Sequence, residues 1–107
     1  MNKIEGECLC GKIKYYSKSD PLFTTVCHCS HCQKQSGTAF SIIIGVDRKS
    51  LHISGDLKCY EDIGNSGKPV YRKFCGNCGS PIISDVSAAP DLLFIKAGTI
   101  NNIKSLR

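Results

Sequence analysis

The sequence is 107 residues long, 41% hydrophobic and without Trp, which predicts one domain, residues 1–107, with a modest core. Its longest apolar run, Ile42-Ile43-Ile44, is far shorter than the roughly 20 residues of a membrane helix, and the opening Met1-Asn2-Lys3-Ile4-Glu5-Gly6-Glu7 puts acids where a signal peptide needs apolar residues, so a cytosolic protein without a membrane partner is predicted. The formal net charge of +5 comes from scattered Lys and Arg, too diffuse a balance to argue for nucleic acid or an anionic membrane.

Two strands, Ile4 to Cys10 and Lys12 to Lys18, are predicted around Gly11. In the second, Ile13 and Tyr15 alternate with Lys12, Lys14 and Tyr16, as in a half-buried strand. Asp20-Pro21 marks a turn, and Thr24 to Cys27 reads as a short strand. Ser30 to Ser36 has room for one or two helical turns, ended by Gly37. Thr38 to Val46 is a strand rich in β-branched residues. Leu51 to Ile53, Leu57 to Glu61, Val70 to Phe74, Pro81 to Val86 and Leu92 to Ala97 follow, separated by turns such as Asn65-Ser66-Gly67. The tail after Gly98 is poor in apolar residues and is expected to be loosely held. Many short strands punctuated by Gly, Asn and Pro predict a mainly β fold.

Eight cysteines dominate the chemistry. Without an export signal they are expected to stay reduced. Cys8-x-Cys10 and Cys75-x-x-Cys78 form one group, and Cys27-x-Cys29-x-x-Cys32 another. A Cys-x-x-Cys knuckle turns two sulfurs inward, so the first group reads as a closed four-thiolate zinc site. The second offers three thiolates within six residues, the composition of a zinc site with an open position. His31 is the rival fourth ligand there; His28, between two ligands, should point away from them, and Cys59 is a further alternative. Its isolation favours a buried free thiol. Seven thiolates and two zinc ions would lower the net charge to about +2. His52 reads as a surface or packed histidine. Tyr15, Tyr16, Phe40 and Phe74 read as core or strand-face residues rather than a base-stacking platform. A thioredoxin-like redox pair is disfavoured because no βαβ pattern surrounds the Cys-x-x-Cys.

Three motifs together resemble a known family: Gly6-Glu7-Cys8-Leu9-Cys10-Gly11, Cys27-His28-Cys29-Ser30-His31-Cys32-Gln33-Lys34-Gln35-Ser36-Gly37, and Phe74-Cys75-Gly76-Asn77-Cys78-Gly79-Ser80. Their order and content resemble the glutathione-dependent formaldehyde-activating enzyme family, which also includes centromere protein V. Ala97-Gly98-Thr99-Ile100 resembles its later Ala-Gly-Thr-Leu segment. The resemblance runs from about residue 6 to 100, and the His- and aromatic-bearing stretch usual beyond it has no counterpart before Arg107. It implies a β-tent fold of short antiparallel sheets held by zinc. It implies a structural zinc on Cys8, Cys10, Cys75 and Cys78, and a second, functional zinc on Cys27, Cys29 and Cys32. The implied reaction joins glutathione and formaldehyde to give S-hydroxymethylglutathione, a carbon–sulfur lyase in its reverse sense.

The expected chemistry is delivery of a small thiol, as thiolate, to a small carbonyl. A zinc already carrying three thiolates is a poor Lewis acid and suits this better than water activation. His28 and Ser36 are the only general-acid candidates the motif offers. The competing expectations are a pair of zincs that only hold the fold, and a non-catalytic zinc module that binds protein or nucleic acid.

Overall fold

The computed structural model describes residues 3–101. Among these residues it is mainly β, with nine antiparallel strands and one short α-helix. Strands β1 (Ile4–Glu7), β2 (Lys14–Ser17) and β5 (Leu51–Ser54) form a sheet in the order β1-β2-β5. The second sheet has the order β3-β4-β9-β8-β7-β6, built from β3 (Phe23–Cys27), β4 (Ser41–Asp47), β9 (Leu92–Lys96), β8 (Pro81–Val86), β7 (Pro69–Cys75) and β6 (Leu57–Ile63). Helix α1 (Ser30–Ser36) links β3 to β4.

The core lies between the sheets. Ile4, Ile13 and Tyr15 come from the smaller sheet, and Ile44, Val46, Ile83, Leu93 and Ile95 from the larger. Register explains the choice: Ile44 faces Ile95, and Ile95 faces Ile83, so three isoleucines stand side by side across β4, β9 and β8. Each such buried side chain contributes about 1.5–3 kcal/mol. The alternation expected in β2 is present, with Ile13, Tyr15 and Ser17 buried and Lys12, Lys14 and Tyr16 exposed.

Residues Phe94, Ser84 and Arg72 form the neighbouring row, one position out of phase, and face away from the isoleucine row. This second face of the large sheet carries α1. A glycine is required there: a Cβ on Gly45 would lie 2.5 Å from the Phe23 ring, which covers it.

Two expectations need correction. Residues 99–101 are not loose. Ile100 is buried and bridges Gly6, and the Asn101 N–H donates to the Glu5 carbonyl at 2.7 Å. The rest of the expected tail, 102–107, lies outside the described residues. Cys59 is exposed, because β6 is the outermost strand and most of it extends past the core.

Tyr15 supplies a test of the packing between the sheets. Its hydroxyl lies 2.6 Å from Thr99 Oγ1, which spends its own proton on the Lys96 carbonyl, so Tyr15 donates. Burial pushes the phenol up to about 12. The fold thus favours the neutral phenol. That stabilisation is whole below the ordinary value near 10 and is lost as pH rises through about 12. Alkaline titrations of the wild type and Tyr15→Phe should differ by one tyrosinate step near 12, and the variant should lose about 1 kcal/mol of stability. A missing step near 10 instead would mean that Tyr15 is not held as described.

Candidate metal centres

The first cysteine group occupies two hairpin tips. Cys8, Cys10 and Gly11 turn the chain from β1 into β2; Gly11 adopts φ +81° and its N–H donates to the Cys8 carbonyl at 3.1 Å. Cys75 to Ser80 turn β7 into β8, closed by Gly79 N–H to the Cys75 carbonyl at 2.8 Å and Cys75 N–H to the Ser80 carbonyl at 3.0 Å. Ser80 joins the tips. Its Oγ accepts from Leu9 N–H at 3.0 Å and lies 3.3 Å from Cys78 Sγ.

The four sulfurs of Cys8, Cys10, Cys75 and Cys78 all lie within 4.8 Å of one another. Two separations are 3.6 Å (Cys8–Cys10) and 3.7 Å (Cys10–Cys75). Zn–S bonds of about 2.3 Å arranged as a tetrahedron give edges of about 3.8 Å, whereas a disulfide would need about 2.05 Å. Backbone amides point at these sulfurs. Ile13 N–H points at Cys8 Sγ (3.3 Å), and Asn77 and Cys78 N–H point at Cys75 Sγ (3.4 and 3.5 Å). Hydrogen bonds from the Ser80 hydroxyl and amide bring Cys78 down to about 5. The donor set fits a divalent soft metal.

The second group wraps the start of α1. Cys29 is the helix N-cap, its sulfur accepting from Cys32 N–H at 3.3 Å, and Gly37 ends the helix at φ 72°. Cys27 closes β3, and its sulfur lies 3.5 Å from that of Cys29. The three sulfurs of Cys27, Cys29 and Cys32 lie within 4.8 Å of one another, and neither His31 nor Cys59 joins them among the described residues. Burial opposes ionisation of Cys29, but the Cys32 amide and the adjacent thiols outweigh it and lower Cys29 to about 7. Burial, then hydrogen bonds and charge from Cys27 and Cys29, push Cys32 up to about 12. Three thiolates this close repel one another, so the set fits a cation placed among them.

Two buried cations serve this group, and the motif reading missed both. Arg72 on β7 points Nη1 at Cys32 Sγ (4.0 Å) and donates from Nε to Asp62 Oδ2 at 2.9 Å. The same carboxylate oxygen lies 2.7 Å from His31 Nδ1, which explains why His31 turns away from the sulfurs. Those two bonds, His31 first and Arg72 second, hold Asp62 down to about 2. Burial, with help from Arg72, pushes Lys96 at the end of β9 down, the charge of all three sulfurs opposes this, and its Nζ donates to Ser41 Oγ at 3.1 Å. Strand phase was the available signal. Arg72 alternates in step with buried Val70, so a charge was due on a covered face.

The remaining candidates sit apart. His28 packs against Phe40 with ring centres 5.7 Å apart, and His52 stacks on Tyr16 at 4.9 Å. Ser36 Oγ donates to the Cys32 carbonyl at 2.7 Å, so its proton is committed and it is not placed as a general acid. Cys59, exposed and outside both clusters, should be the fast-reacting thiol toward Ellman's reagent in metal-loaded protein. Cys59→Ser should remove that fast phase, keep both metals and change stability by no more than about 0.5 kcal/mol. Loss of a metal equivalent from that variant would make Cys59 a ligand.

A family model described as glutathione-dependent formaldehyde-activating enzyme matches residues 3–107. The chain belongs to this family. The match extends past residue 100, where the motif resemblance ended. A curated relative from Emericella nidulans, named "Putative glutathione-dependent formaldehyde-activating enzyme", is 29% identical over 77 residues; these cover 72% of the chain and 39% of that relative's length. A crystal structure of a Rhodobacter sphaeroides protein shares the fold at a TM-score of 0.71 and 19% identity, covering 92% of this chain and 88% of that one. Among the described residues no helix is long and apolar enough to cross a membrane.

Proposed function

We propose that residues 1–107 form one zinc-binding β-tent domain that joins a glutathione-like thiol to formaldehyde or another small carbonyl, a carbon–sulfur lyase in reverse. The observation that carries this reading is a three-sulfur cluster with no fourth protein donor among the described residues, whose charge reaches Lys96 in the wall of a cavity of about 500 Å³. Cys8, Cys10, Cys75 and Cys78 would hold a structural zinc, and Cys27, Cys29 and Cys32 a second. Zinc bound at the second cluster would keep a substrate thiol ionised near neutral pH.

The chain's own residues then have separate tasks. Arg72 offsets thiolate charge through its contact with Cys32, and Asp62 fixes the guanidinium. Phe40, Ile42 and Pro81 give the cavity an apolar wall. The substrate thiol loses its proton to solvent. Its sulfur forms a bond to the carbonyl carbon, the carbonyl π pair moves onto oxygen, and that oxygen takes a proton from solvent. A reducing compartment, the cytosol, suits a chain whose eight cysteines are all free.

Elemental analysis of protein purified without added metal should find two zincs per chain. Glutathione and formaldehyde should then equilibrate with their hydroxymethyl adduct faster in the presence of the loaded protein, as read by NMR exchange. Reduced protein without tightly bound zinc would sink the metal reading. Two zincs without any rate effect would sink the enzymatic one.

A further inference from the structure

The cavity beside the second cluster contains a buried amine whose hydrogen bond goes to a hydroxyl and not to a sulfur. Lys96 lines it and is only 5% exposed. An ammonium carries three donors, and Ser41 Oγ accepts one, at 3.1 Å. Among the described residues no carboxylate lies within ion-pair distance of Lys96, and no acidic residue lines the cavity. The sulfurs reach this ammonium only through space, and two of its three donors have no hydrogen-bond partner among the described residues, which is costly for a buried cation. Direct compensation of the thiolates falls to Arg72, whose guanidinium is the cationic group hydrogen-bonded to a sulfur of this cluster.

The position of Lys96 also sets a distance. Ser41, which holds the ammonium, is the register partner of Cys27. Paired residues on adjacent strands have Cα atoms about 4.5–5.5 Å apart, which places Cys27 beside the residue that holds the amine in the cavity wall. Phe40, Ile42 and Pro81 supply an apolar wall between polar groups. A ligand matched to this arrangement has a thiol, a short apolar spacer and a carboxylate.

We propose that Lys96 anchors the carboxylate of a carboxylate-bearing thiol in this cavity, with Ser41 fixing the ammonium. This selects acidic thiols over neutral ones and rests on the thiol-binding reading above.

The probes are 3-mercaptopropionate and its methyl ester, which share a skeleton and differ in charge. Calorimetric titration of the zinc-loaded wild type should give at least ~10-fold tighter binding of the acid, as expected for one charge-assisted hydrogen bond. Lys96→Met should bring the two affinities together while leaving the ester's affinity and the metal content unchanged. Lys96→Arg should retain much of the preference. Equal affinities in the wild type, or a preference that survives Lys96→Met, overturn the anchor and leave thiol binding intact. Loss of a zinc equivalent in Lys96→Met would instead make Lys96 a support of the cysteine cluster, which also overturns it. Failure of both probes to bind the wild type removes the anchor and the thiol-binding reading together. The wild-type comparison needs no variant to fold.

Discussion

Cys75→Ser is expected to leave the domain unfolded, or nearly so, at 25 °C. Cys75 is buried in the core cluster and accepts two backbone N–H bonds at the β7–β8 tip. It also belongs to the sulfur set that would fasten this tip, through a metal, to the β1–β2 tip, 65 residues away from it at Cys10. Zinc at such a site contributes roughly 10–16 kcal/mol of apparent binding free energy, as large as the roughly 5–15 kcal/mol net stability of a whole domain. The measurement is circular dichroism melting beside metal content. A cooperative melt close to that of the wild type, with two metals retained, would refute the structural role.

Cys29→Ser is expected to behave differently. It should keep a folded β-sheet spectrum, lose one zinc equivalent and drop to background in adduct formation. Cys27, Cys29 and Cys32 lie within one β3–α1 turn, so a metal among them closes only a short loop and contributes little to holding distant segments together. Serine at position 29 still caps α1, because a hydroxyl accepts from the Cys32 amide much as the thiol does. The two variants form a crossed test. An unfolded Cys29→Ser beside a folded Cys75→Ser would reverse the assigned roles. Retained thiol affinity and adduct formation in Cys29→Ser would remove the case for chemistry at the second cluster.

Local features were legible in the sequence because their causes are local. Gly37 stops α1 where left-handed backbone is needed, and helix Ser30–Ser36 lies where the motif placed it. The Ile13/Tyr15 alternation marked the inner face of β2, and Pro81–Val86 was read to its ends. Sheet membership was not legible. Leu51–Ser54 leaves its neighbour β6 and joins β2, while β9 inserts between β4 and β8; both follow from long-range register rather than from any nearby residue. The cysteine groups were legible as spacing. Of the cations around them only Arg72 left a trace, its phase with Val70, and both it and Lys96 gain a role only when strand pairing brings β7 and β9 beneath α1. Cys59 was expected to be buried on residue type alone, which ignores where its strand falls in the sheet.

The joined hairpin tips have a consequence for how the protein must be handled. Each tip is a two-sulfur chelator built from its own hairpin, and the chain between them acts as a tether. A tether of this kind gives an effective local concentration on the order of millimolar. Refolding with metal at micromolar protein should therefore close each cluster within one chain. As protein concentration approaches the millimolar range, a tip from one molecule competes for the metal held by another, and metal-bridged oligomers that disperse on chelation should accumulate.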